Sequence, residues 1–269
     1  MGEKERIDVR LLREGLAASR EKAKELIQRG GVLVNGRPAR KAGEAVEPED
    51  EVSLAILPGE TESVYVSRGG YKLEKALETF GVDPTGCWCL DAGASTGGFT
   101  DCLLQHGAAG VYALDVGRGQ LHEKLQADPR VIGREKINVR YLDEKIVPRL
   151  CELAVADLSY ISLTKVLKAI WSRVAEEGRV ICLVKPQFEA GPGAVDKRGV
   201  IRDPAVHRRV LEELFLFCRG EDWEPAGLTY SPIRGPEGNI EYLLYLKRKP
   251  AEGSLPDIAA VVKEAHSVL

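Results

Sequence analysis

Apolar residues recur at helical spacing near the start of the chain and at strand spacing soon after. The run Ile7–Leu16 predicts a first helix, and Ser19–Gly30 predicts a second helix with the serine as its N-cap. Short strands are predicted at Val32–Val34 and Val52–Ile56, with Asn35-Gly36 as a tight turn after the first of them. The pattern therefore predicts a small α+β unit at the N-terminus.

Short, continuous apolar runs separated by helical stretches dominate the chain from about residue 87 onward. Such runs are typical of strands that are buried on both faces. They lie at Cys87–Asp91, Val111–Asp115, Leu153–Ala156, Val180–Val184 and Gly238–Leu246. A helix is predicted before the first run, over 67–77, and a short terminal helix over 258–269. The alternation predicts an open α/β sheet.

The two patterns divide the chain into predicted domains. We predict a small domain at 1–57, a linker at 58–66, a larger domain at 67–250 and a C-terminal tail at 251–269. The Pro58-Gly59 turn signal marks the start of the linker. A length of 269 residues is sufficient for one large α/β domain with a small appendage.

Composition indicates an ordinary globular protein. Apolar residues make up 44% and charged residues 29% of the chain, and no apolar run is long enough to cross a bilayer. The N-terminal residues do not resemble a secretory signal, so we expect a cytoplasmic protein. The six cysteines form no Cys-x-x-Cys pair, and the four histidines are scattered. We therefore expect reduced, buried cysteines and no metal site.

Basic residues are concentrated between Arg20 and Lys41, although the chain carries a net charge of −3. Seven basic and two acidic residues occur there, a pattern that binds RNA phosphates or simply covers a solvated helix face. Residues 6–27 and Gly31–Arg37 resemble the alpha-L RNA-binding motif of a small-subunit ribosomal protein, which favours RNA binding. The predicted RNA contacts, including basic residues near the later motifs, are Arg6, Arg20, Lys22, Lys24, Arg37, Arg68, Lys197 and Arg198.

A glycine-rich turn, Ala92–Thr100, joins the first long strand to the next helix. Asp91 ends that strand, and Asp115 ends the following strand. Such a turn presents backbone N–H groups to a ligand, and the second acid binds ribose hydroxyls, although a turn without a ligand is the alternative. The Asp-x-Gly-x-x-x-Gly-Gly pattern is similar to the S-adenosylmethionine motif of Rossmann-like methyltransferases. The similarity implies cofactor contacts at Asp91, Gly93, Ser95, Gly97, Gly98, Phe99, Asp115, Asn138 and Asp157. Asn138 fits a loop-capping role almost as well.

Four dispersed ionisable residues indicate the reaction. Lys72 lies in the helix before the first long strand, Asp157 and Lys185 each follow a strand, and Glu241 lies in a late strand. Residues just beyond strand ends converge on the ligand crevice of an open α/β sheet, although each residue alone has an ordinary structural alternative. The surrounding stretches resemble the Lys-Asp-Lys-Glu tetrad of the FtsJ-like ribose 2′-O-methyltransferases.

With its N-terminal segment, the chain resembles the TlyA family of ribosomal RNA methyltransferases, historically named hemolysins. The resemblance implies the α/β fold class, with a Rossmann-like S-adenosylmethionine-dependent methyltransferase sheet and a small N-terminal α+β alpha-L RNA-binding domain. It also implies transfer of a methyl group from S-adenosylmethionine to a ribose 2′-hydroxyl of ribosomal RNA.

The ribose hydroxyl needs a base, because it is a poor nucleophile until its proton is withdrawn. Lys185 is the preferred base, since burial and a nearby cation such as Lys72 favour a neutral amine. Asp157 is expected to tie the lysines together near the methyl group, and Glu241 to hold a lysine or the ribose. The choice between the two lysines stays open, because coupled lysines share their titration.

Other interpretations of the sequence differ in what they predict for the same residues. The Gly/Pro-rich segment 186–204 is interpreted as an RNA-facing lid, with a passive loop as the alternative. A non-catalytic RNA-binding or ribosome-assembly factor would use the cofactor pocket only structurally, and methylation at a base atom is a further alternative. A membrane-lytic hemolysin is disfavoured, since no strongly amphipathic basic helix or spanning segment is predicted.

Overall fold

The computed structural model describes residues 4–14, 16–17, 20–28, 30–54, 64–191, 193–235, 237–248 and 255–269, excluding the side chains of Lys22 and Glu25. The chain divides into two compact units, Met1–Val64 and Tyr65–Leu269. Tyr65 is buried in the core of the second unit, while most of the predicted linker lies outside the described residues. The domain bounds predicted from the sequence stay a prediction.

The first unit packs two short helices against small antiparallel strands. Its elements are β1 (Glu5–Arg6), α1 (Ile7–Arg13), α2 (Arg20–Gln28), β2 (Val32–Val34), β3 (Arg37–Pro38), β4 (Ala45–Val46) and β5 (Val52–Leu54). Strand β2 lies between β3 and β5, and β1 pairs with β4. Ile7 and Leu11 of α1, Ala23 and Ile27 of α2, and Val32 of β2 share one buried cluster. The predicted α+β unit is confirmed.

Local differences from the predicted pattern have simple causes. Helix α1 ends at Arg13, and Leu16 donates its backbone N–H to the Leu11 carbonyl instead of continuing the helix. Strands β1 and β4 were not predicted, because strands of two residues carry no periodic signal. The predicted N-cap Ser19 and the end of the second predicted strand, Ile56, lie outside the described residues.

The second unit is built around a seven-stranded sheet. Its helices are α3 (Gly69–Phe80), α4 (Gly98–Gln105), α5 (Glu123–Gln126), α6 (Leu167–Trp171), α7 (Pro186–Glu189), α8 (Pro204–Gly220) and α9 (Ile258–Val268). Its strands are β6 (Trp88–Ala92), β7 (Gly110–Leu114), β8 (Val131–Arg134), β9 (Cys151–Ala156), β10 (Val174–Val184), β11 (Glu224–Tyr230) and β12 (Tyr242–Lys247). Cys89 and Leu90 enter two different buried clusters, so the sheet has an apolar core on each face.

Strand direction determines which residues meet at one edge of this sheet. The order is β11-β12-β10-β9-β6-β7-β8, and the strands from β8 to β10 are parallel. Strand β12 runs antiparallel to β10, with its first residue, Tyr242, paired with Val184 at the end of β10. The start of β12 therefore lies at the carboxyl edge of the parallel strands, where ligands bind in such sheets. The predicted Rossmann-like α/β fold is confirmed.

Gly98 allows the N-terminal ends of α3 and α4 to approach closely, and Gly70 makes room for the ring of Tyr65 beside α3. A Cβ atom at Gly98 would lie 2.2 Å from Ser67 Oγ and 2.9 Å from the backbone nitrogen of Gly70. A Cβ atom at Gly70 would lie 2.2 Å from the ring of Tyr65. Only glycine fits at such distances. The approach holds Lys72, in the first turn of α3, next to the glycine-rich turn before α4.

The described part of the segment 186–204, all but residue 192, contains a short helix and a tight turn that the sequence does not predict. It begins with α7, and Asp196 then closes a tight turn by accepting the backbone N–H of Arg198 at 2.7 Å. Asn239 anchors this turn region, because its Oδ1 accepts the backbone N–H of Ile201 at 3.0 Å. The predicted terminal helix is also present, as α9.

Candidate active site

Three strand ends and one helix bring four ionisable side chains into one cavity. Lys72 comes from α3, Asp157 follows β9, Lys185 follows β10 and Glu241 precedes β12. All four line a cavity of about 380 Å³, called here the tetrad cavity. The structure thus brings the four predicted catalytic residues together. Glu241 joins them because β12 runs antiparallel to its neighbour.

The four side chains form a continuous series of ion pairs. Lys72 Nζ lies 2.6 Å from Glu241 Oε2 and 3.9 Å from Asp157 Oδ2. Lys185 Nζ lies 2.6 Å from Asp157 Oδ1 and donates a hydrogen bond to Ser159 Oγ at 3.0 Å. Asp157 therefore lies between the two lysines, and Glu241 holds Lys72.

The Lys72–Glu241 pair is almost completely shielded from water. The side chain of Glu241 is 1% exposed and that of Lys72 is 9% exposed. Burial raises the pKa of Glu241 above its ordinary value, and the Lys72 ammonium opposes that shift. Buried charges persist only when they are paired. Each member of the pair therefore depends on the other.

A second cavity, of about 460 Å³, adjoins the tetrad cavity and is called here the Asp115 cavity. Residues that line both cavities include Gly93, Ser95, Asp157, Ser159 and Tyr160. Further walls of the Asp115 cavity are formed by Val116, Ile137, Asn138, Val139 and Ile161. A volume of this order, with apolar walls and a few polar groups, is typical of a small-molecule site.

Asp115 is fixed in this cavity by two backbone donors. Its Oδ2 accepts the N–H of Ser95 at 2.7 Å, and its Oδ1 accepts the N–H of Gly117 at 2.6 Å. Each oxygen keeps further acceptor capacity for the hydroxyls of a ribose. The neighbouring Val116 is 73% exposed, so a flat ring bound there would cover apolar surface. These residues fit the adenosine part of a cofactor.

The predicted cofactor residues divide into three groups in the structure. Gly93, Ser95, Asp115, Asn138 and Asp157 line the Asp115 cavity. Gly98 and Phe99 line the tetrad cavity, where Phe99 is also part of the core. Asp91 and Gly97 are not among the residues that line either cavity.

Gly93 and Asn138 show why these positions suit their residue types. A Cβ atom at Gly93 would lie 2.4 Å from the carbonyl oxygen of Asp157, so the two strand ends meet only because this residue is glycine. Asn138 lines the cavity and also caps a 3-10 turn, since its Oδ1 accepts the N–H of Arg140 at 3.1 Å. The Asn138 side chain therefore lies at the cavity and caps the turn at the same time.

Asp91 lies beneath the glycine-rich turn and is completely buried. Its Oδ2 accepts the hydroxyl of Thr100 at 2.6 Å, which ties the end of β6 to the first turn of α4. Burial raises the pKa of Asp91 to about 7, partly opposed by the Thr100 hydrogen bond. The Asp91 side chain thus stabilises the glycine-rich turn through its hydrogen bond with Thr100.

Comparison with known proteins agrees with this geometry. Residues 65–248, more than half of the chain, match the model of the FtsJ-like methyltransferases. The chain belongs to this FtsJ-like methyltransferase family. Residues 5–52 match the S4 domain, so the FtsJ-like methyltransferase carries an RNA-binding S4 domain in its first unit. The predictions of a methyltransferase that uses S-adenosylmethionine and acts on RNA are confirmed at this level.

Relatives of the FtsJ-like chain match over nearly its full length. TlyA of Mycobacterium tuberculosis, named a 16S/23S rRNA (cytidine-2′-O)-methyltransferase, is 44% identical over 247 residues, which are 92% of this chain and 91% of TlyA. YqxC of Bacillus subtilis is 44% identical over 273 residues, covering 99% of this chain and 95% of YqxC. A solved structure from Streptococcus thermophilus, named as a hemolysin, has a TM-score of 0.78 and 41% identity, covering 98% and 96% of the two chains. The predicted TlyA family is confirmed.

Two of the predicted RNA contacts in the S4 domain are organised by a buried carboxylate. Arg6 Nε donates to Asp8 Oδ1 at 2.9 Å, and its Nη2 donates to Asp8 Oδ2 at 3.1 Å. Arg20 Nη2 also donates to Asp8 Oδ2, at 3.1 Å. Asp8 is completely buried, whereas both arginine side chains are about half exposed. The guanidinium groups are thus fixed on one side and open to solvent on the other.

The other predicted RNA contacts have more open surroundings. Exposed side chains belong to Lys24, Arg37, Arg68, Lys197 and Arg198. Arg68 lines the tetrad cavity, together with Arg234, a basic residue that no motif in the sequence marks. The side chain of Lys22 lies outside the described residues. These positions stay predictions for RNA binding.

Tyr160 and Phe188 line the tetrad cavity and are not among the residues predicted from the sequence. Tyr160 is 87% exposed, has a φ of 62°, and lies with its ring centroid 5.0 Å from that of Phe188. A bulky residue in the left-handed region is strained, and an exposed aromatic ring at a cavity is a common ligand contact. Its place three residues after Asp157 is the one signal in the sequence that marks it.

Proposed function

We propose that this FtsJ-like methyltransferase transfers a methyl group from S-adenosylmethionine to a ribose 2′-hydroxyl of ribosomal RNA. The observation that carries the proposal is the tetrad cavity lined by Lys72, Asp157, Lys185 and Glu241 beside the Asp115 cavity. The name of the TlyA relative supports ribose methylation of ribosomal RNA. Ribosomal RNA, free or within a subunit, is therefore the proposed partner.

S-adenosylmethionine fits the Asp115 cavity by the chemistry of its lining. Asp115 would hold the ribose hydroxyls, Val116 and Ile137 would contact the adenine ring, and Asn138 would lie at its edge. Asp157, which lines both cavities, would lie near the amino-acid or methyl end. When bound, the cofactor supplies a methyl group that its sulfonium already activates.

Lys185 is the proposed base. A neutral Lys185 amine accepts the proton of the 2′-hydroxyl, and Asp157, at 2.6 Å, holds the resulting ammonium in place. Lys72 is the poorer candidate by position, because its Nζ lies 2.6 Å from Glu241 and 3.9 Å from Asp157, whereas Lys185 contacts one carboxylate and the Ser159 hydroxyl. A charged Lys72 also provides positive potential for the developing alkoxide. Holding the hydroxyl within about 3–3.5 Å of the methyl group supplies much of the remaining acceleration.

A transfer assay tests the proposal directly. Purified protein is incubated with methyl-labelled cofactor and with small subunits, large subunits or naked ribosomal RNA, and 2′-O-methyl sites are mapped by mass spectrometry. We expect label at a ribose 2′-oxygen. Cofactor binding without any transfer would support a non-catalytic RNA-binding factor, and label on a base atom would assign the protein to base methylation. Either result overturns the proposal.

Matched lysine variants test the assignment of the base. Lys185→Ala is expected to keep cofactor affinity and to abolish transfer, while Lys145→Ala, an exposed lysine outside both cavities, should behave as wild type. Full activity of Lys185→Ala would contradict the assignment.

Dye release from liposomes distinguishes a membrane-lytic function from methyl transfer. No helix in the described part of the chain is long and apolar enough to cross a membrane. We expect no release at protein concentrations that give complete methyl transfer.

A further inference from the structure

Two loops from neighbouring parallel strands meet at the tetrad cavity. The loop after β9 carries Asp157, Ser159 and Tyr160, and the loop after β10 carries Lys185 and Phe188. Contacts between the loops include the 2.6 Å Lys185–Asp157 ion pair and the Tyr160–Phe188 ring contact. The relative position of the two loops therefore sets where the Lys185 amine lies.

Glu189, the last residue of α7, joins the two loops outside the cavity lining. Its Oε2 accepts the hydroxyl of Ser162 at 2.6 Å, and its Oε1 accepts the backbone N–H of Leu163 at 2.8 Å. Neither Glu189 nor Ser162 is among the residues that line the tetrad cavity. Both carboxylate oxygens of Glu189, which follows β10, thus accept hydrogen bonds from the loop after β9.

The donor end of this connection, at Ser162 and Leu163, is itself fixed. Ser162 caps the 3-10 turn Leu163–Lys165 by accepting the backbone N–H of Thr164 at 3.2 Å. The Ser162 and Thr164 hydroxyl oxygens lie 2.7 Å apart, so the two hydroxyl groups are also hydrogen-bonded to each other. The Glu189 carboxylate is therefore held against a turn that is bonded within itself.

The acceptor end of the connection, Glu189, lies one helical turn from Lys185. Helix α7 starts at Pro186, immediately after Lys185, and has a length of four residues. The Phe188 N–H donates to the Lys185 carbonyl at 2.9 Å, and the Ala190 N–H donates to the Pro186 carbonyl at 2.9 Å. A displacement of Glu189 is therefore transmitted through one hydrogen-bonded turn to the lysine.

Burial makes these two hydrogen bonds important for the carboxylate. The pKa of Glu189 is raised by burial, and the Ser162 and Leu163 donors oppose that shift. Glu189 is half-buried, and a carboxylate in such surroundings is disfavoured without such donors. Both donors therefore favour the position in which the loop after β10 lies against the loop after β9.

We infer that Glu189 is a positioning residue for methyl transfer, which fixes the loop bearing Lys185 against the loop bearing Asp157 through Ser162 and Leu163. The inference rests on the proposed function, because Lys185 is the proposed base. Glu189 acts through Lys185 and does not touch the reacting groups.

Three substitutions test the inference by single-turnover transfer. Glu189→Ala removes both bonds and is expected to slow transfer about 10- to 100-fold, since small misplacements of reacting groups have effects of this size. Affinities for S-adenosylmethionine and RNA should stay within about twofold, because Glu189 lies outside both cavities. Glu189→Gln should restore most of the rate, because its amide oxygen accepts from Leu163 and its amide N–H₂ donates to Ser162. Glu212→Ala, an exposed position on α8, is the control.

Several outcomes overturn the inference. These are a wild-type rate for Glu189→Ala, a Glu189→Gln rate as low as that of alanine, or equal losses of cofactor affinity and rate. Where Glu189→Ala does not fold, Ser162→Ala removes one of the two bonds and should slow transfer by a smaller factor. A wild-type rate for Ser162→Ala in that case also counts against the inference.

A structural readout separates this inference from the proposed function. If the wild-type protein methylates no RNA, the proposed function fails. The positioning role is then read from amide exchange and a crystal structure of Glu189→Ala. Faster exchange of the Leu163 amide and a longer Lys185–Asp157 distance support it. Unchanged exchange and an unchanged distance overturn it.

Discussion

The ammonium of Lys72 donates a 2.6 Å hydrogen bond to the carboxylate of Glu241, which lies 169 residues further along the chain. One partner comes from the first turn of α3 and the other from the residue before β12. Both are nearly inaccessible to water. Breaking such a pair leaves an uncompensated charge in the interior, whereas replacing both members with apolar residues is much less costly.

The first prediction concerns the stability of this pair. Lys72→Met alone is expected to lower the free energy of unfolding by about 3 kcal/mol, because it leaves the Glu241 carboxylate buried without its cation. The double variant Lys72→Met/Glu241→Met should lose less than the sum of the two single variants. Urea denaturation of all four proteins measures this coupling. Additive losses would show that the two charges do not depend on each other.

The second prediction concerns pH and Asp91. Its pKa is raised to about 7 in the folded protein, from the ordinary value of 3.8. Between about pH 4 and 7 the folded protein keeps a proton that the unfolded chain has released. The contribution of Asp91 to the free energy of unfolding therefore decreases as pH rises through this window, by at most about 1.4 kcal/mol per pH unit.

Asp91→Asn isolates this contribution, because its amide oxygen still accepts the Thr100 hydroxyl. The difference in unfolding free energy between wild type and Asp91→Asn should shift in favour of the variant from pH 4 to 7 and stay constant above pH 8. Glu144→Gln, an exposed carboxyl substitution, serves as the control. A difference that is independent of pH would contradict the raised pKa.

Local pattern was sufficient to predict five of the seven strands of the sheet and half of the tetrad. Strands β6, β7 and β9 and the second half of β10, Val180–Val184, appear in the sequence as largely apolar runs, because they are buried on both faces. Asp157 and Lys185 follow two of these runs, so the strand-end rule selects them. Lys72 and Glu241 were selected only through family resemblance. Their positions depend on the α3–α4 approach and on the antiparallel direction of β12, which are tertiary features.

Other important residues lacked any local signal. Asp8 looks like an ordinary acidic residue in a helical repeat, and its burial between two arginines depends on the fold of the S4 domain. Glu189 and Ser162 are separated by 27 residues and meet because β9 and β10 are neighbours in the sheet. Single-sequence periodicity reports which face of an element is buried, but it does not report which side chains meet across elements.

The third prediction concerns Tyr160, whose exposed ring lines the tetrad cavity. Tyr160→Ala is expected to weaken productive RNA binding about 5- to 100-fold, because stacking of a base on an aromatic ring contributes about 1–3 kcal/mol. Tyr160→Phe should keep most of the activity. Tyr141→Ala removes another exposed tyrosine, outside both cavities, and should have no effect. Steady-state kinetics with ribosomal RNA, together with cofactor affinity, provide the measurement. Equal effects of Tyr160→Ala and Tyr141→Ala would rule out a stacking role.

The fourth prediction concerns Asp8 and the arginines of the S4 domain. Hydrogen bonds from Arg6 and Arg20 hold the pKa of the buried Asp8 down at about 2. The folded state therefore gains stability from the ionised Asp8 above about pH 4, and this gain is lost as pH falls towards 2. Asp8→Asn should remove the gain at neutral pH, with a loss of about 2 kcal/mol, as expected for hydrogen bonds to a charged group.

Denaturation of the full chain, followed by a probe in the S4 domain, measures this effect at pH 7 and along an acid titration. Glu49→Gln, an exposed acidic residue of the same domain, is the control and should unfold like wild type. The stability difference between wild type and Asp8→Asn should narrow as pH falls from about 4 to 2, because acid then protonates the wild-type carboxylate. A difference that persists unchanged at pH 2 would mean that the aspartate stabilises the domain by its shape rather than by its charge.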